Sequence, residues 1–216
     1  MKKIKIAIQG ELGAYSHIAA NNLYKDAEIK NCTTFEETFK KAYEDDTYKI
    51  IIPLENSLAG RVADIHYLLP KYKLQIHGEY FLNVEHNLLS KPEATIDDIK
   101  FVRSHAQAIG QCQNIINKKK FQPIISADTA GSAKDLAEGN DKTIAAIASD
   151  LSATIYKLKI LEKNIEDEKG NVTRFLVMGK KVEQPEFDKN KKFITSCIFR
   201  VKSEPSALYK CLGGFA

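Results

Sequence analysis

Long apolar runs, cysteine and arginine are all scarce in this sequence, and each shortage excludes a class of protein. No uninterrupted apolar stretch approaches the roughly 20 residues that a membrane-spanning helix needs. The chain starts Met-Lys-Lys-Ile-Lys, without the apolar stretch and the cleavage site of a signal peptide. We therefore expect a cytoplasmic protein that does not associate with membranes.

The chain has four cysteines, and they are dispersed at Cys32, Cys112, Cys197 and Cys211. No CxxC pair is present, and the five histidines are equally scattered. A bound metal ion is therefore not expected. In a cytoplasmic chain the cysteines are expected to be reduced thiols.

Only four of the 32 basic residues are arginine, and the formal net charge is +4. The lysines are interspersed with acidic residues, and the densest runs, at 118–120 and 189–192, are flanked by polar residues. A nucleic-acid-binding protein usually has a basic face with stacking aromatics or a groove-reading motif. Neither pattern is visible, so nucleic acid is not an expected partner.

The sequence does contain enough apolar residues for a globular core, since 44% of its 216 residues are hydrophobic. Strands and helices alternate through the first 180 residues, which indicates an α/β protein. The first part contains a strand at 5–8, a glycine turn and a helix from about Ser16. A capping box, Thr34 to Glu37, opens a second helix, and a strand at 49–54 is predicted to stop at Pro53.

The alternation of strands and helices is then interrupted by an extended segment, after which it resumes. Residues 74–90 are predicted to be extended, after which strands at 101–105, 123–127 and 143–148 alternate with helices. Those helices are predicted at 107–117, near 131–137 and at 149–156, and a last strand lies at 172–178. This order predicts two lobes with a cleft between them, where strand ends and helix N-termini hold small molecules.

The C-terminal part is predicted to be organised differently. Residues 181–192 are polar and contain a proline, as in a linker. Beyond them we predict a strand at 193–201 and a helix at 205–212. The 24 residues from 193 to 216 cannot bury a core alone, so we expect the sequence to stop partway into a second domain.

Polar side chains gather at the ends of the predicted strands. The turn at 10–17 offers backbone N–H groups and the Ser16 hydroxyl to an anion, although any strand-to-helix turn can use glycine. The segment Glu55-Asn56-Ser57 places a carboxylate, an amide and a hydroxyl directly after an apolar strand. That cluster fits either a functional site or a plain polar turn.

Three further clusters follow along the chain. The segments at 104–107 and 128–131 precede predicted helices and are explained either as helix caps or as site residues. In the segment 171–175, strand geometry puts Thr173 and Phe175 on one side and Arg174 on the other. Because arginine is rare in this sequence, we assign Arg174 a specific role.

Taken in order, these five segments resemble the prephenate dehydratase family. The family motifs GxxGxYS, PxENS, SHPQA, DTAGxA and TRF correspond to residues 10–16, 53–57, 104–108, 128–133 and 173–175. The resemblance covers about residues 4–180. One departure is Ala106, which stands where the family usually has proline.

The resemblance implies a two-lobed, periplasmic-binding-protein-like (type II) α/β catalytic domain at 1–180. Lobe one would be about 1–75 plus 171–180, and lobe two about 76–170. Residues 193–216 resemble the beginning of the family's α+β regulatory ACT domain, with Ser206 in place of a glycine. The later segment associated with phenylalanine binding is absent, so L-phenylalanine would be an effector only with a complete ACT domain. The family also implies a homodimer or a homotetramer.

The activity implied is the conversion of prephenate, a small dianion, to phenylpyruvate, CO2 and water, without a cofactor. Thr173 would be the catalytic hydrogen-bond donor to the leaving hydroxyl, with Glu55 as a candidate proton relay if partial burial keeps it protonated. Arg174 would buttress the cleft or hold the lobes, Asp128 would turn toward backbone amides or position Thr129, and Phe175 fits the core better than a ring-stacking role. The implied substrate-binding residues are Asn56, Ser57, Ser104, His105, Gln107, Asp128, Thr129, Ala130, Arg174 and Phe175.

Two alternatives stay open at this point. Arogenate dehydratase performs the same chemistry on the aminated substrate, and the sequence does not separate the two. A non-catalytic protein that binds a small anion would share the two-lobed fold, although an ACT-like tail is unexpected for it.

Overall fold

The computed structural model describes residues 3–182, 186–195 and 197–215, and the chain separates into two compact units, 1–184 and 185–216. The first unit contains two β-sheets, and helices pack against both. We call the half built on the first sheet lobe one and the half built on the second sheet lobe two. Within the described ranges, no helix is long and apolar enough to cross a membrane.

Lobe one is built on a six-stranded sheet in the order β2-β1-β3-β11-β5, with the short β4 paired to β3. Its strands are β1 (Lys5–Gln9), β2 (Glu28–Cys32), β3 (Tyr48–Asn56), β4 (Gly60–Arg61), β5 (Gln75–Asn83) and β11 (Val172–Gly179). The first three strands are parallel, and β11 returns antiparallel between β3 and β5. Its helices are α1 (Tyr15–Leu23), α2 (Phe35–Glu44) and α3 (Ala63–Tyr72).

Lobe two is built on a five-stranded sheet in the order β10-β6-β9-β7-β8. Its strands are β6 (Asn87–Ser90), β7 (Phe101–His105), β8 (Gln122–Ser126), β9 (Ile144–Ala148) and β10 (Lys159–Glu162). Its helices are α4 (Ala106–Gly110), α5 (Gln113–Lys119), α6 (Thr129–Glu138) and α7 (Asp150–Tyr156), with a short 3-10 helix at Ile96–Asp98. The mixed, two-lobed α/β architecture agrees with the fold predicted from the sequence.

Both faces of the lobe-one sheet are buried. Ile50 and Ile52 enter one hydrophobic core with Phe39, whereas Ile51 between them enters a second core with Phe175. Successive side chains of a strand point to opposite faces, so this division shows that apolar side chains cover the sheet on both sides. It also explains why β3 reads as an unbroken apolar run.

The start of α2 is capped as the sequence indicates, with one difference. The Thr34 hydroxyl accepts a hydrogen bond from the Glu37 N–H at 3.1 Å. The Glu37 carboxylate answers by accepting from the Thr33 N–H at 2.8 Å, one residue earlier than a capping box predicts. Two free amides at the helix entrance are thereby satisfied.

Two predicted element boundaries are wrong. Strand β3 runs through Pro53 to Asn56, because a register shift between Arg174 and Phe175 of the partner strand β11 accommodates the proline. The helix predicted at 107–117 is two helices, since the Asp167 carboxylate accepts from the N–H groups of Gln113 and Asn114 and so caps a new start.

The lobe boundary predicted near residue 75 lies too early. Strand β5 pairs with β11 from Val172 to Gly179, so residues 75–83 belong to the lobe-one sheet. The chain crosses to lobe two only after Asn83. The N–H and C=O groups of β11 on the edge away from β3 need hydrogen-bond partners, and β5 supplies them.

The second unit contains one helix, α8 (Ala207–Gly213), among its described residues, close to the predicted helix at 205–212. The strand predicted at 193–201 is not formed by residues 193–195 or 197–201, and Ser196 lies outside the described residues. A strand needs a neighbour for its N–H and C=O groups, and the described part of this unit holds none. Within the predicted linker, residues 183–185 also lie outside the description.

Candidate active site

A cleft of about 480 Å³ lies between the two lobes. Lobe one contributes the end of β1, the loop that follows it, the end of β3 and the segment 59–64. Lobe two contributes the start of α4, Gln111 and the start of α6. The cleft thus lies at the carboxyl ends of parallel strands, where α/β proteins bind small molecules, and its volume suits such a ligand.

Thr173 lines this cleft and is only 8% exposed. Its Oγ1 accepts a hydrogen bond from the Asn56 side-chain amide at 2.9 Å. The orientation of that amide is determined, because the Asn56 Oδ1 accepts from the main-chain N–H groups of Leu58 and Ala59 at 3.0 and 2.8 Å. The Thr173 oxygen is therefore an acceptor toward Asn56, and its own proton remains for a group in the cleft.

The starts of α4 and α6 supply neutral donors to the same space. The Asp128 carboxylate turns back and accepts from the Gly131 N–H at 2.6 Å, in agreement with its predicted orientation. Thr129 follows it at the cleft wall, and Ala130 is fully buried, so Ala130 offers only main-chain atoms. The first amides of a helix have no partner within the helix and favour an anion.

His105 and Gln107 also line the cleft. The His105 Nδ1 accepts from the Gln107 N–H at 3.3 Å, which caps α4. Because that nitrogen acts as an acceptor, the ring proton of neutral His105 lies on Nε2.

Two serines of the predicted site lie outside the cleft lining. The Ser57 hydroxyl donates to the Gly170 carbonyl at 2.8 Å and accepts from the Val172 N–H at 2.9 Å. The Ser104 hydroxyl is fully buried and donates to the Ile147 carbonyl at 2.7 Å. Both hydroxyls form hydrogen bonds with the main chain and lie outside the cleft lining, and their predicted role in substrate binding stays a prediction.

Arg174 points away from Thr173, as strand alternation predicts, and bridges the strands on either side of β11. Its guanidinium contacts Glu55 of β3 at 3.0 Å and Glu79 of β5 at 2.7 Å. Hydrogen bonding to Glu55 and to Glu79 raises the pKa of Arg174. The Glu55 side chain is 52% exposed, so the burial required for a protonated relay is absent. The partial burial on which the relay role of Glu55 was conditional is not found, and a catalytic role for Glu55 stays a prediction.

Phe175 is 1% exposed and belongs to the lobe-one core, although its ring also contacts the cleft floor. The core position agrees with the prediction. It gives the neighbouring Thr173 a rigid base.

The structure also joins the predicted site residues Asn56 and Thr173 to four polar side chains that were not predicted as site residues. We call Tyr15, His86, Gln111, Asn171, Asn56 and Thr173 the polar network; His86, Asn171 and Thr173 are buried, and the other three are partly buried. The Tyr15 hydroxyl lies 2.8 Å from His86 Nδ1, and His86 Nε2 lies 2.9 Å from the Gln111 Oε1. The Asn171 amide donates to that Gln111 oxygen at 3.0 Å, and the Asn171 Oδ1 accepts from Asn56 at 2.6 Å.

These residues were partly visible in the sequence. Tyr15 belongs to the GxxGxYS segment and Asn171 precedes the TRF strand, whereas His86 and Gln111 carry no motif signal. Burial lowers the pKa of His86 and raises the pKa of Tyr15. Both groups are therefore neutral near pH 7.

One side of the cleft is closed by direct contacts between the lobes. The Gly13 carbonyl accepts from the Ser149 hydroxyl at 2.6 Å and from the Ser152 hydroxyl at 3.1 Å. The Tyr156 hydroxyl donates to the Leu12 carbonyl at 2.9 Å. The glycine turn of lobe one is thus fastened to α7 of lobe two.

One part of the cleft lining carries a positive charge, the Arg61 guanidinium, which can bind an anion. Arg61 lines the cleft from β4, and the structure shows no ion pair for its guanidinium among the described residues. Within the same described part, His, Cys, Asp and Glu side chains form no group of three that resembles a metal site.

The fold and the cleft together define a two-lobed α/β protein with a cleft between the lobes that is the candidate site for a small molecule. Comparison with known proteins narrows this class. The family model for prephenate dehydratase matches residues 6–183. The chain belongs to the prephenate dehydratase family.

Two curated relatives show how far the similarity extends. The chain is 39% identical over 214 residues to the bifunctional N-acyl-homoserine lactone acylase/prephenate dehydratase of Komagataeibacter europaeus, covering 98% of this chain and 75% of that protein. It is 37% identical to arogenate dehydratase/prephenate dehydratase 2, chloroplastic, of Arabidopsis thaliana, covering 99% of this chain and 56% of the plant protein. The chain therefore spans little more than half the length of this plant relative.

Solved structures agree with the fold. The prephenate dehydratase of Staphylococcus aureus superposes with a TM-score of 0.75 at 27% identity, covering 98% of this chain and 78% of the other. GqqA, described as a novel type of quorum quenching acylases, gives a TM-score of 0.83 at 36% identity, covering 98% and 76%.

Proposed function

We propose that this protein is a prephenate dehydratase, which removes CO2 and water from prephenate to form phenylpyruvate. The bond between the ring and its carboxylate breaks, and the electron pair enters the ring. The hydroxyl on the opposite ring carbon leaves with a proton as water. Aromatisation of the ring drives the reaction, so the protein has to hold an anion and assist the leaving hydroxyl.

The observation that carries this proposal is the direction of the hydrogen bond between Asn56 and Thr173, in which the Thr173 oxygen is the acceptor. Because Asn56 donates to its oxygen at 2.9 Å, the Thr173 proton is directed to an acceptor in the cleft. A leaving hydroxyl placed there would receive a hydrogen bond that strengthens as negative charge develops on it. A threonine hydroxyl is a very weak acid, so it acts as an orienting donor and the proton of the water comes from elsewhere.

The two carboxylates of the substrate need different treatment. The departing carboxylate should meet neutral donors, because tight binding of its charge in the ground state would raise the barrier. The first-turn amides of α6 that Asp128 does not cap, the Thr129 hydroxyl and the His105 Nε2–H are such donors. The carboxylate that remains in the product has no such restriction, and the guanidinium of Arg61 suits it.

The test is a turnover assay that follows phenylpyruvate, with Thr173→Val and Thr173→Ser beside the parent. Val keeps the branched shape and removes the hydroxyl, so we expect kcat to fall about 10²–10³-fold, as when one preorganised donor is lost. Ser keeps the hydroxyl and should retain most of the activity. Parental turnover by Thr173→Val would refute the assigned role of Thr173.

Arogenate is the second candidate substrate, since several relatives carry arogenate dehydratase in their names. Parallel assays with prephenate and arogenate compare kcat/KM directly. An N-acyl-homoserine lactone belongs in the same series, because one relative is named for acylase activity as well. Prephenate binding by calorimetry without turnover of any of these compounds would favour a binding protein instead.

The resemblance also leads us to propose a homodimer or homotetramer in solution. Sedimentation velocity checks this assembly on the same preparation. A single monomeric species at the assay concentration would contradict it.

A further inference from the structure

We propose that His86 is a positioning residue that holds Gln111, and through Gln111 and Asn171 the Asn56 amide that donates to Thr173. It does so by presenting an Nε2–H donor to Gln111, 25 residues away along the chain. This inference rests on the proposed function, because it concerns the same Thr173 hydroxyl. In the polar network, the direction of each hydrogen bond is determined by that of its neighbour, and the first one is determined by main-chain N–H groups.

The first step is the orientation of Asn56. Main-chain N–H groups can only donate, so the atom of Asn56 that meets Leu58 and Ala59 is its oxygen. The other end of the amide is therefore the NH2 group, which donates to both Thr173 and Asn171.

The second step fixes the next two amides. Since Asn56 donates to it at 2.6 Å, the facing atom of Asn171 is its oxygen, and the NH2 group of Asn171 points to Gln111. The atom of Gln111 that accepts from Asn171 at 3.0 Å is therefore its oxygen. That same oxygen lies 2.9 Å from His86 Nε2.

The third step assigns the imidazole. A carbonyl oxygen cannot donate, so His86 Nε2 must carry a proton. Neutral His86 then has a bare Nδ1 that lies 2.8 Å from the Tyr15 oxygen, and the single Tyr15 proton has two acceptors at this distance, His86 Nδ1 and the Glu85 carbonyl. The ring is 2% exposed, so the opposite tautomer would leave two acceptors facing each other at Gln111 without water to separate them.

The hydrogen bond from His86 to Gln111 has the same direction whether or not the ring is protonated. The charged and titratable groups around His86 are Tyr15 from α1 and the Glu166 carboxylate, which accepts from the His86 main-chain N–H at 3.0 Å. An imidazolium would donate from Nδ1 to the Tyr15 oxygen, and the Tyr15 hydroxyl would turn to the Glu85 carbonyl, 2.8 Å away. The donor to Gln111 is the same in both states, so Thr173 keeps its direction.

Matched amide substitutions test the proposal. The amide of His86→Gln reaches the position of Nε2 and can still donate to Gln111, whereas the shorter amide of His86→Asn reaches only the position of Nδ1. We expect His86→Asn to lower kcat about tenfold with a smaller change in KM, which corresponds to loss of one hydrogen bond. His86→Gln should retain most of the parental kcat. The same exchange at the exposed His66 on α3, His66→Asn, is the control and should leave kcat unchanged.

Two measurements distinguish the proposed positioning role of His86 from a purely structural one. Unfolding midpoints show whether His86→Asn is folded under the assay conditions, and kcat is compared per folded molecule. The 15N chemical shifts of the His86 ring report the tautomer directly in the parent protein, whether or not prephenate is turned over. Equal kcat for the Asn and Gln variants, or a ring protonated at Nδ1 alone, would overturn the proposal. An inactive parent with the expected tautomer would refute the proposed function and leave the network assignment standing.

Discussion

Replacing Gly13 with alanine should separate the two lobes on one side of the cleft. Gly13 has a φ of +95°, where an L-residue costs about 1–2 kcal/mol. An added Cβ would also lie against the Ser152 hydroxyl and 2.8 Å from the Ser152 Cα. Because that second atom is backbone, the turn or α7 has to move.

The movement would weaken the hydrogen bonds from Ser149 and Ser152 to the Gly13 carbonyl. Each of these bonds contributes about 0.5–1.5 kcal/mol to the free energy of unfolding. Added to the backbone cost, Gly13→Ala should lower the free energy of unfolding by about 2–5 kcal/mol. Urea denaturation with linear extrapolation measures this quantity. Since Gly10 and Ala14 line the cleft, kcat/KM should fall as well.

Gly170→Ala is the matched control. Gly170 has a similar φ of +85°, but nothing lies within 4 Å of an added Cβ. It should therefore show the backbone cost alone, about 1–2 kcal/mol. Equal losses for the two variants would refute the close-contact reasoning. So would recovery in Gly13→Ala/Ser152→Ala, since removing the hydroxyl leaves the contact with the Ser152 Cα in place.

Three further outcomes are expected. Asp128→Ala should cost about 1 kcal/mol in urea denaturation by removing the cap of α6, while Asp128→Asn should cost only a few tenths, and equal losses would contradict the capping role. Glu55→Gln should leave kcat close to the parental value, whereas a large loss would restore Glu55 as a catalytic residue. Burial lowers the pKa of His86, so on acidification below about pH 6.5 the unfolded chain binds a proton that folded His86 does not, and stability should fall by up to about 1.4 kcal/mol per pH unit. The half-buried His17 should add a smaller loss in the same direction. Denaturation midpoints across this range should show a smaller slope in His86→Gln, and an unchanged slope would exclude His86 as a contributor.

Local patterns determined much of what the sequence could predict. The alternation of Thr173 and Arg174 on β11 follows from the two-residue period of a strand, whatever surrounds it. The caps at Thr34, Asp128 and Ser149 join side chains to amides three residues away. Five ordered motifs also placed the chain in its family, because each combines residue types at fixed spacing.

Contacts between distant segments could not be predicted in this way. The break between α4 and α5 depends on Asp167, more than 50 residues away from Gln113, and the placement of β5 depends on the returning β11. The role considered for Glu55 assumed a partly buried carboxyl, but the Glu55 side chain pairs with Arg174 and is 52% exposed.

The sequence by itself determined the α/β class, the two-lobed plan, the family and the side of β11 that carries Thr173. Only the tertiary structure decided which polar groups reach the cleft and in which direction they donate. The reason is physical: hydrogen-bond direction passes from atom to atom through space, and the steps from Tyr15 to His86 and from Asn56 to Asn171 span 71 and 115 residues of chain. Such distances carry no periodicity, so the Thr173 proton acquires its direction only when β11 pairs with β3 in the folded sheet.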